Sequence, residues 1–334
     1  MSAEPHFFRS ERAEGGPVGR TLVLDDETRD RLGRELSTLP SPYEDIEEVL
    51  LQLEPIFGSL PVELRRGIKR FGSDPLAEGA LLVRNLPVDP SLPDTPARGK
   101  RPADKTSFVS EGCILGVGQL LGHLFGYTNE KEAELVHQIA PVRGRETAAS
   151  NEGSKADFGP HTECGALSMI PTYLLLTCLR ADAGGAAATF LMEARDLCRR
   201  LSPDDLAALF QPHFQMEIPE SFGSADQWSA PGAILRGSVE MPELWYDRDG
   251  MRGTTPEAQA VLDRVHALAA DPSVQRQAVL RPGDILVLDN RKTVHGRRPF
   301  TPRYDGRDRW FQRVYLQRDL WGGRTFARAP RIFY

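Results

Sequence analysis

Three side chains could together hold a divalent metal ion: His161, Glu163 and His295. His161 and Glu163 flank a threonine, so an extended backbone would place the imidazole and the carboxylate on one face and the threonine on the other. His295 follows a turn, a buried apolar strand at 285–288 and a second turn, which predicts a position near the start of the next strand or loop. Two imidazoles and one carboxylate on one side of a metal leave positions open, as in non-haem Fe(II) oxygenases.

These residues also have an ordinary interpretation. A triplet of histidine, any residue and an acid is expected about once by chance in a chain of this composition. An isolated histidine such as His295 is more often a hydrogen-bonded turn residue than a ligand. The triplet therefore needs support from the rest of the chain.

Two arginines supply part of that support. In the run from 309 to 317, an extended backbone places Arg309, Phe311, Arg313 and Tyr315 on one face and the intervening residues on the other. Guanidinium groups on the inner face of a barrel need anions, because burying an unpaired charge is costly. A dicarboxylate and an amino acid would supply them. The alternative is an outward face of solvated arginines.

Composition excludes several classes of protein. The 334 residues include 41 basic and 47 acidic residues and carry a net charge of −6, so no basic field favours nucleic acid. The longest apolar runs fall well short of the ~20 residues of a membrane span, and the first twenty residues contain three glutamates and lack the apolar core of a secretory signal. The four cysteines form no CxxC pair, which favours reduced thiols in the cytoplasm.

Short β-rich segments interrupted by helical patterns must position these side chains. We expect a loose arm at 1–20 and one ordered unit over 21–334, as a barrel or sandwich with an outer helical layer. Helical spacing occurs at 45–57, 64–71, 108–125, 194–209 and 256–270. The predicted strands are 81–83, 133–142, 167–179, 188–192, 214–218, 233–235, 244–246, 279–280, 285–288 and 310–316. Glycines 116, 118 and 122 do not have the spacing of a nucleotide-binding loop and predict close helix packing.

Several separated motifs resemble the clavaminate synthase-like family of Fe(II)- and 2-oxoglutarate-dependent oxygenases. They occur in the family's order over about residues 80 to 320 and are His161-Thr-Glu163, Tyr173-Leu-Leu-Leu-Thr-Cys-Leu-Arg-Ala-Asp182, Ala187-Ala-Thr189, Val294-His-Gly-Arg297 and Arg303-Tyr-Asp-Gly-Arg-Asp-Arg-Trp310. The resemblance implies a mainly β fold with flanking helices around a double-stranded β-helix, the jelly-roll or cupin-like core. It also implies Fe(II), 2-oxoglutarate and O2 as cofactor and cosubstrates.

The resemblance assigns the metal and cosubstrate residues. His161, Glu163 and His295 match the iron ligands of the family. Arg309 matches the arginine that binds the distal carboxylate of 2-oxoglutarate, and Thr189 matches a threonine that assists it. The presence of Glu163 argues against halogenation, because related halogenases have a small residue there.

It also assigns residues for an amino-acid substrate. Arg313 matches the arginine that pairs with the substrate α-carboxylate, and Gln138 resembles a glutamine that contacts the substrate backbone. Glu163 is placed to receive the ammonium group. Asp247 and Asp249 match an acidic pair that holds a guanidinium in the arginine hydroxylase, and they are equally compatible with two turn carboxylates before a glycine.

The predicted function is hydroxylation of an unactivated Cβ or Cγ of a free L-amino acid, arginine or a similar cationic or polar one, in specialised metabolite biosynthesis. The segment after Glu163, Cys164-Gly-Ala-Leu-Ser-Met-Ile-Pro171, departs from the family's usual sequence and leaves the substrate side chain open. Desaturation or cyclisation, and action on a carrier-tethered amino acid, are alternatives. A cupin-like metal-binding protein without turnover is the alternative outside enzymes.

Overall fold

Strands that alternate between two sheets form the centre of the protein. The computed structural model describes residues 18–224 and 226–334. In these ranges the α-helices are α1 (Asp26–Leu36), α2 (Ile46–Gly58), α3 (Val62–Ser73), α4 (Val109–Gln119), α5 (Ala194–Cys198), α6 (Pro203–Leu209) and α7 (Pro256–Ala270). Short 3-10 helices lie at Lys131–Ala133, Pro272–Val274 and Trp321–Phe326.

The strands follow in chain order. They are β1 (Arg20–Val23), β2 (Ala80–Arg84), β3 (His123–Tyr127), β4 (His137–Ile139), β5 (Phe158–His161), β6 (Tyr173–Arg180), β7 (Thr189–Glu193), β8 (Phe214–Met216), β9 (Leu235–Gly237), β10 (Pro242–Leu244), β11 (Met251–Gly253), β12 (Arg276–Ala278), β13 (Ile285–Asp289), β14 (Thr293–Arg297), β15 (Trp310–Gln317), β16 (Ala327–Ala329) and β17 (Ile332–Phe333).

Two of the sheets make the jelly roll. The larger has the order β1-β2-β13-β6-β15-β3-β17-β16, with β4 also paired to β15, and the smaller has the order β12-β7-β14-β5. Along the chain β5, β6 and β7, and then β12, β13, β14 and β15, pass alternately from the small sheet to the large one. This alternation is the double-stranded β-helix that the family resemblance implied.

The central strands of the large sheet separate two apolar cores. In β6, Leu174 and Leu176 pack between the sheets, whereas Leu175 packs against the N-terminal helices α1 to α4. The outer face of the small sheet is covered by α5, α6 and α7 through residues such as Met192 and Val294. The period of two along a strand thus buries both faces of each central strand. The site between the sheets is shielded on both sides by helices.

Most predicted elements are present, and the main exception is the helix predicted at 108–125. It ends at Gln119, and Phe125 lies in β3, which pairs with β15. Gly122 allows this turn, because a Cβ there would lie 2.4 Å from the carbonyl oxygen of Gln317. The close helix packing is confirmed at Gly116, where a Cβ would lie 2.1 Å from the ring of Phe57 in α2.

Several other helices and strands begin or end at residues different from those predicted. The helical pattern at 194–209 forms two helices, since Ser202 starts α6 by accepting a hydrogen bond from the backbone N of Asp205. The strand predicted at 167–179 begins only at Tyr173, and the one predicted at 279–280 lies just before, at 276–278. The strand predicted at 133–142 is confined to 137–139.

The predicted N-terminal arm falls largely outside the described residues. Of residues 1–20 only the last three are described, and there Val18 is buried and Arg20 begins β1. Across the described ranges, none of the helices has the length and apolar character needed to cross a bilayer. All four cysteines carry free thiols.

Candidate active site

The three predicted metal ligands meet between the sheets. His161 ends β5 and His295 lies in β14, and the two residues are directly opposite each other in the antiparallel pair. One Glu163 carboxylate oxygen, Oε2, lies 3.8 Å from Nε2 of His161 and 3.6 Å from Nε2 of His295. One ligand atom from each of the three residues lies within 4.8 Å of the other two. This spacing allows all three side chains to reach a single ion.

Hydrogen bonds of His161 and Thr162 fix the directions of the side chains in the 161–163 triplet. Nδ1 of His161 lies 2.9 Å from the carbonyl oxygen of Gly159, so this nitrogen carries the proton and Nε2 is free to coordinate. Thr162 points the other way, as predicted, and its backbone N donates to the carbonyl of Tyr246 at 2.7 Å. Its hydroxyl donates to the carbonyl of Leu244 at 3.3 Å. The middle residue of the triplet therefore anchors the strand while its neighbours face the metal position.

The charge state of the ligands suits a divalent cation. Burial alone would raise the pKa of Glu163, but Arg313 and the two imidazoles hold it well below its usual range. Oε1 of Glu163 accepts hydrogen bonds from Arg313 at 3.0 Å and from the hydroxyl of Tyr315 at 2.9 Å, while the buried Oε2 has no hydrogen-bond partner in the described part of the chain. Burial, with the neighbouring His161, lowers the pKa of His295 to about 3, which leaves its imidazole neutral. An ionised acid with one unpartnered oxygen between two imidazoles fits a metal ion.

Arg309 lies in the same cavity as the metal position. The cavity is lined by Glu163, His295, Thr189 and Arg309, and Thr189 is paired with Arg297 across β7 and β14. Arg309 is 5% exposed, its Nε has no hydrogen-bond partner, and no ion pair to it occurs among the described residues. Burial lowers the pKa of Arg309 to about 9, and repulsion by Arg297 contributes. A buried guanidinium without a counter-ion is costly, so this end of the cavity suits an anion.

Arg313 is buried on the same face of β15, which excludes the alternative of solvated arginines. It is 1% exposed, and its guanidinium lies over the ring of Tyr315, as that of Arg309 lies over Phe311. Unlike Arg309, it has charged partners: Glu163 at 3.0 Å and the carboxylate of Glu130. The alternation predicted for this strand is confirmed.

The prediction that Gln138 lies in this pocket is wrong. In the pairing of β4 with β15, Gln138 is opposite Gln312 on the outer face. Its Oε1 accepts from Nε1 of Trp310 at 2.9 Å, and its Nε2 donates to the hydroxyl of Tyr43 at 2.9 Å. Because side chains alternate along a strand, a displacement of one residue moves a side chain to the other face.

Two residues that the sequence analysis missed face Arg313 instead. His137 is opposite it, with Nδ1 3.0 Å from the guanidinium, and Glu130 forms an ion pair with it. The order histidine, glutamine at 137–138 could have indicated His137, since these neighbours must face opposite sides of a strand. Glu130 precedes a 3-10 turn, and no sequence pattern indicated its direction.

The predicted acidic pair is divided between two environments. Asp247 forms a β-bridge with His161, and its Oδ1 accepts from the backbone N of Asp249 and of Gly250 at 2.9 and 3.0 Å. The carboxylate of Asp249 instead receives two hydrogen bonds from Arg248, at 2.8 and 2.9 Å. Asp247 thus lies beside a metal ligand, whereas Asp249 is occupied by an internal guanidinium.

Comparison with known proteins agrees with this geometry. Residues 234–315 match the taurine catabolism dioxygenase TauD, TfdA family. The chain is 32% identical to the L-asparagine oxygenase of Streptomyces coelicolor, over 94% of this chain and 95% of that protein. It is also 32% identical to clavaminate synthase 2 of Streptomyces clavuligerus, over 91% and 96% of the two chains. The chain belongs to the clavaminate synthase-like family.

Comparison with solved structures shows that the chain resembles members of this family in fold as well as in sequence. An asparagine oxygenase in complex with Fe(II), 2S,3S-3-hydroxyasparagine and succinate superposes with a TM-score of 0.86, at 31% identity and covering 94% of this chain and 98% of that one. The oxygenase OrfP in complex with Fe and α-ketoglutaric acid gives 0.82 at 26% identity, covering 95% and 100%. The predicted jelly roll, Fe(II), 2-oxoglutarate and dioxygenase class are confirmed. When bound, Fe(II), 2-oxoglutarate and O2 supply an oxidant that can remove hydrogen from an unactivated carbon.

Proposed function

We propose that the enzyme hydroxylates Cβ or Cγ of a free L-amino acid in specialised metabolite biosynthesis. The observation that carries the proposal is the arrangement of Arg313, Glu130 and Glu163, which places a buried cation between two carboxylates beside the metal position. The α-carboxylate and α-ammonium of an amino acid match this pattern of charges. Relatives named L-asparagine oxygenase, L-lysine 3-hydroxylase and enduracididine beta-hydroxylase support the substrate class.

Arg313 would bind the α-carboxylate. Its Nε is buried without a partner, so the guanidinium retains a donor for an incoming anion. Glu163, and Glu130 with it, would accept from the ammonium group. A substrate fixed at its amino-acid end presents one side-chain carbon to the metal, and such positioning decides which carbon reacts.

The other site residues would bind either the metal or the cosubstrate. His161, Glu163 and His295 would hold Fe(II). Arg309, assisted by Thr189 at the same end of the cavity, would bind the distal carboxylate of 2-oxoglutarate, because its buried guanidinium forms no ion pair with any residue that the structure describes. We take residues 21–334 as one catalytic domain, supported by relatives that are matched over nearly their whole length.

Asp247 would contact the substrate side chain. It shares the His161 edge of the site, and its second oxygen, Oδ2, is not used in the turn to Gly250. One carboxylate favours a side chain that donates hydrogen bonds, such as a guanidinium, an amine or an amide. Asp249 would join it only after releasing Arg248.

A free amino acid is favoured over a carrier-tethered one. A thioester has no α-carboxylate, so it would leave the buried Nε–H of Arg313 without an acceptor. The net charge of −6 and the four free thiols support a small-molecule enzyme of the cytoplasm.

The test is a panel of L-amino acids with Fe(II), 2-oxoglutarate and O2, scored for succinate and for product mass. The proposal predicts substrate-dependent succinate with a product 16 mass units heavier, the mass of one oxygen atom. A loss of two hydrogens would indicate desaturation or cyclisation. Turnover of a carrier-bound amino acid alone would contradict the free substrate, and no turnover of either form would favour a metal-binding protein.

A further inference from the structure

Asn290, a residue without a place in the proposed chemistry, is bonded to both sides of the metal ligand Glu163. Its side chain is buried, and its Oδ1 accepts from the backbone N of Glu163 at 2.9 Å. Its Nδ2 donates to the carbonyl of Glu163 at 3.1 Å. One planar carboxamide therefore holds the peptide groups before and after the Cα atom of the ligand.

The same side chain also closes the segment that follows the ligand. Nδ2 of Asn290 donates to the carbonyl of Pro171 at 2.9 Å, and its backbone N donates to the carbonyl of Thr172 at 3.0 Å. The segment 164–171 therefore begins and ends beside the side chain of Asn290. Its first residue, Cys164, has a φ of 51°, in the left-handed region that non-glycine residues rarely adopt. The bond to the carbonyl of Glu163 holds the peptide group that enters this strained residue.

The position of Asn290 in the chain also connects it to His295, the third metal ligand. It lies in the turn between β13 and β14, and β14 carries His295. The turn is closed by bonds from Lys292 N and the Thr293 hydroxyl to the carbonyl of Asp289, both at 3.0 Å. One turn therefore connects to His295 through β14 and to Glu163 through the Asn290 amide.

We propose that Asn290 is a positioning residue that sets the direction of the Glu163 carboxylate and so controls metal binding. Groups outside the coordination shell that orient ligands typically change metal affinity by roughly 10- to 100-fold when removed. A residue that only stabilised the fold would lower the melting temperature and leave the metal affinity of the folded protein unchanged.

The test titrates the metal-free protein with Mn(II) and follows free Mn(II) by electron paramagnetic resonance. Asn290→Ala is compared with wild type and with Gln119→Ala, a control that loses a side-chain bond to the Leu50 carbonyl between α4 and α2. We expect Asn290→Ala to bind Mn(II) roughly 10- to 100-fold more weakly with an unchanged far-ultraviolet circular dichroism spectrum, and Gln119→Ala to bind it like wild type.

Mn(II) affinity in folded Asn290→Ala equal to that of wild type would overturn the proposal. If the alanine variant does not fold, Asn290→Ser decides by the same criterion, since its hydroxyl fills part of the space but can serve only one of the two carbonyls. The titration needs neither substrate nor turnover. Its outcome is therefore independent of the proposed amino-acid hydroxylation.

Discussion

His161 and His295 occupy directly opposed positions on adjacent antiparallel strands, and their ring centroids are 4.5 Å apart. Their separation is set by the strand pairing of a central sheet and not by mobile loops. Glu163 completes the triad two residues beyond the end of β5, where it is held by Asn290. Two of the three ligands are therefore preorganised by the strand pairing itself.

Unmatched charges in the ligand-free protein predict stabilisation by metal and cosubstrate together. Within residues 18–224 and 226–334, a buried oxygen of Glu163 accepts no hydrogen bond and the buried guanidinium of Arg309 has no counter-ion. Ligands at about 100 times their Kd stabilise by about 2.7 kcal/mol, which for a domain of this size is roughly 5 °C in melting temperature. Differential scanning fluorimetry with Mn(II), and then with 2-oxoglutarate added, measures each increment. Absence of any shift at saturation would contradict both assignments.

Arg309→Met should separate stability from cosubstrate binding. Loss of hydrogen bonds to a charged group costs about 1.5 to 3 kcal/mol, which predicts a KM for 2-oxoglutarate raised roughly 10- to 150-fold. The ligand-free variant should be as stable as wild type or more so, because a buried unpaired charge has been replaced by an apolar chain. Steady-state kinetics and thermal melts test the two parts separately. An unchanged KM would show that the distal carboxylate binds elsewhere.

Glu130→Gln should weaken substrate binding without affecting the cosubstrate. Burial raises the pKa of Glu130, although Arg313 opposes this shift, and the ion pair places its carboxylate at the amino-acid end of the site. We expect the substrate KM to rise at least about tenfold, the effect of ~1.4 kcal/mol, while the KM for 2-oxoglutarate stays constant. Glu132→Gln, on the same turn but paired outward with Lys100, is the matched control and should behave like wild type.

Gln138→Ala should reduce stability and leave substrate binding intact. Its amide joins Trp310, Gln312 and Tyr43 on the outer face of β15, so removal leaves buried donors without acceptors. The expected cost is about 1 to 3 kcal/mol in the free energy of unfolding, measured by denaturant titration. A large rise in substrate KM at unchanged stability would instead favour the original assignment of this residue to the pocket.

The metal site could be predicted because each part of its sequence pattern is short and local, and because several separate motifs support the same assignment. The triplet at 161–163 needs only an extended backbone, and the directions of the side chains in β15 follow from alternation over its eight residues, Trp310–Gln317. Gln138 was misplaced because β4 has three residues, too few for the pattern to define which of two neighbours faces inward. Long strands thus fix the direction of their side chains from sequence, and short ones do not.

Features that depend on distant contacts were not predictable. Glu130 contacts Arg313 from a turn, and Asn290 contacts Glu163 from the turn between β13 and β14, in both cases across a large sequence separation. The helix predicted through Phe125 ended early because Gly122 packs on the backbone of β15. Local propensity favoured helix, and tertiary pairing overrode it.

One shared metal centre formed by His161, Glu163 and His295 beside the Arg309 cavity underlies the proposed chemistry, and anaerobic absorption spectroscopy tests it most directly. Fe(II) and 2-oxoglutarate are added to wild type and to His295→Ala, without O2 or substrate. We predict a weak visible charge-transfer band for the wild-type chelate, and its loss in the variant. A folded wild-type protein that shows no such band at saturating Fe(II) and 2-oxoglutarate would contradict the account.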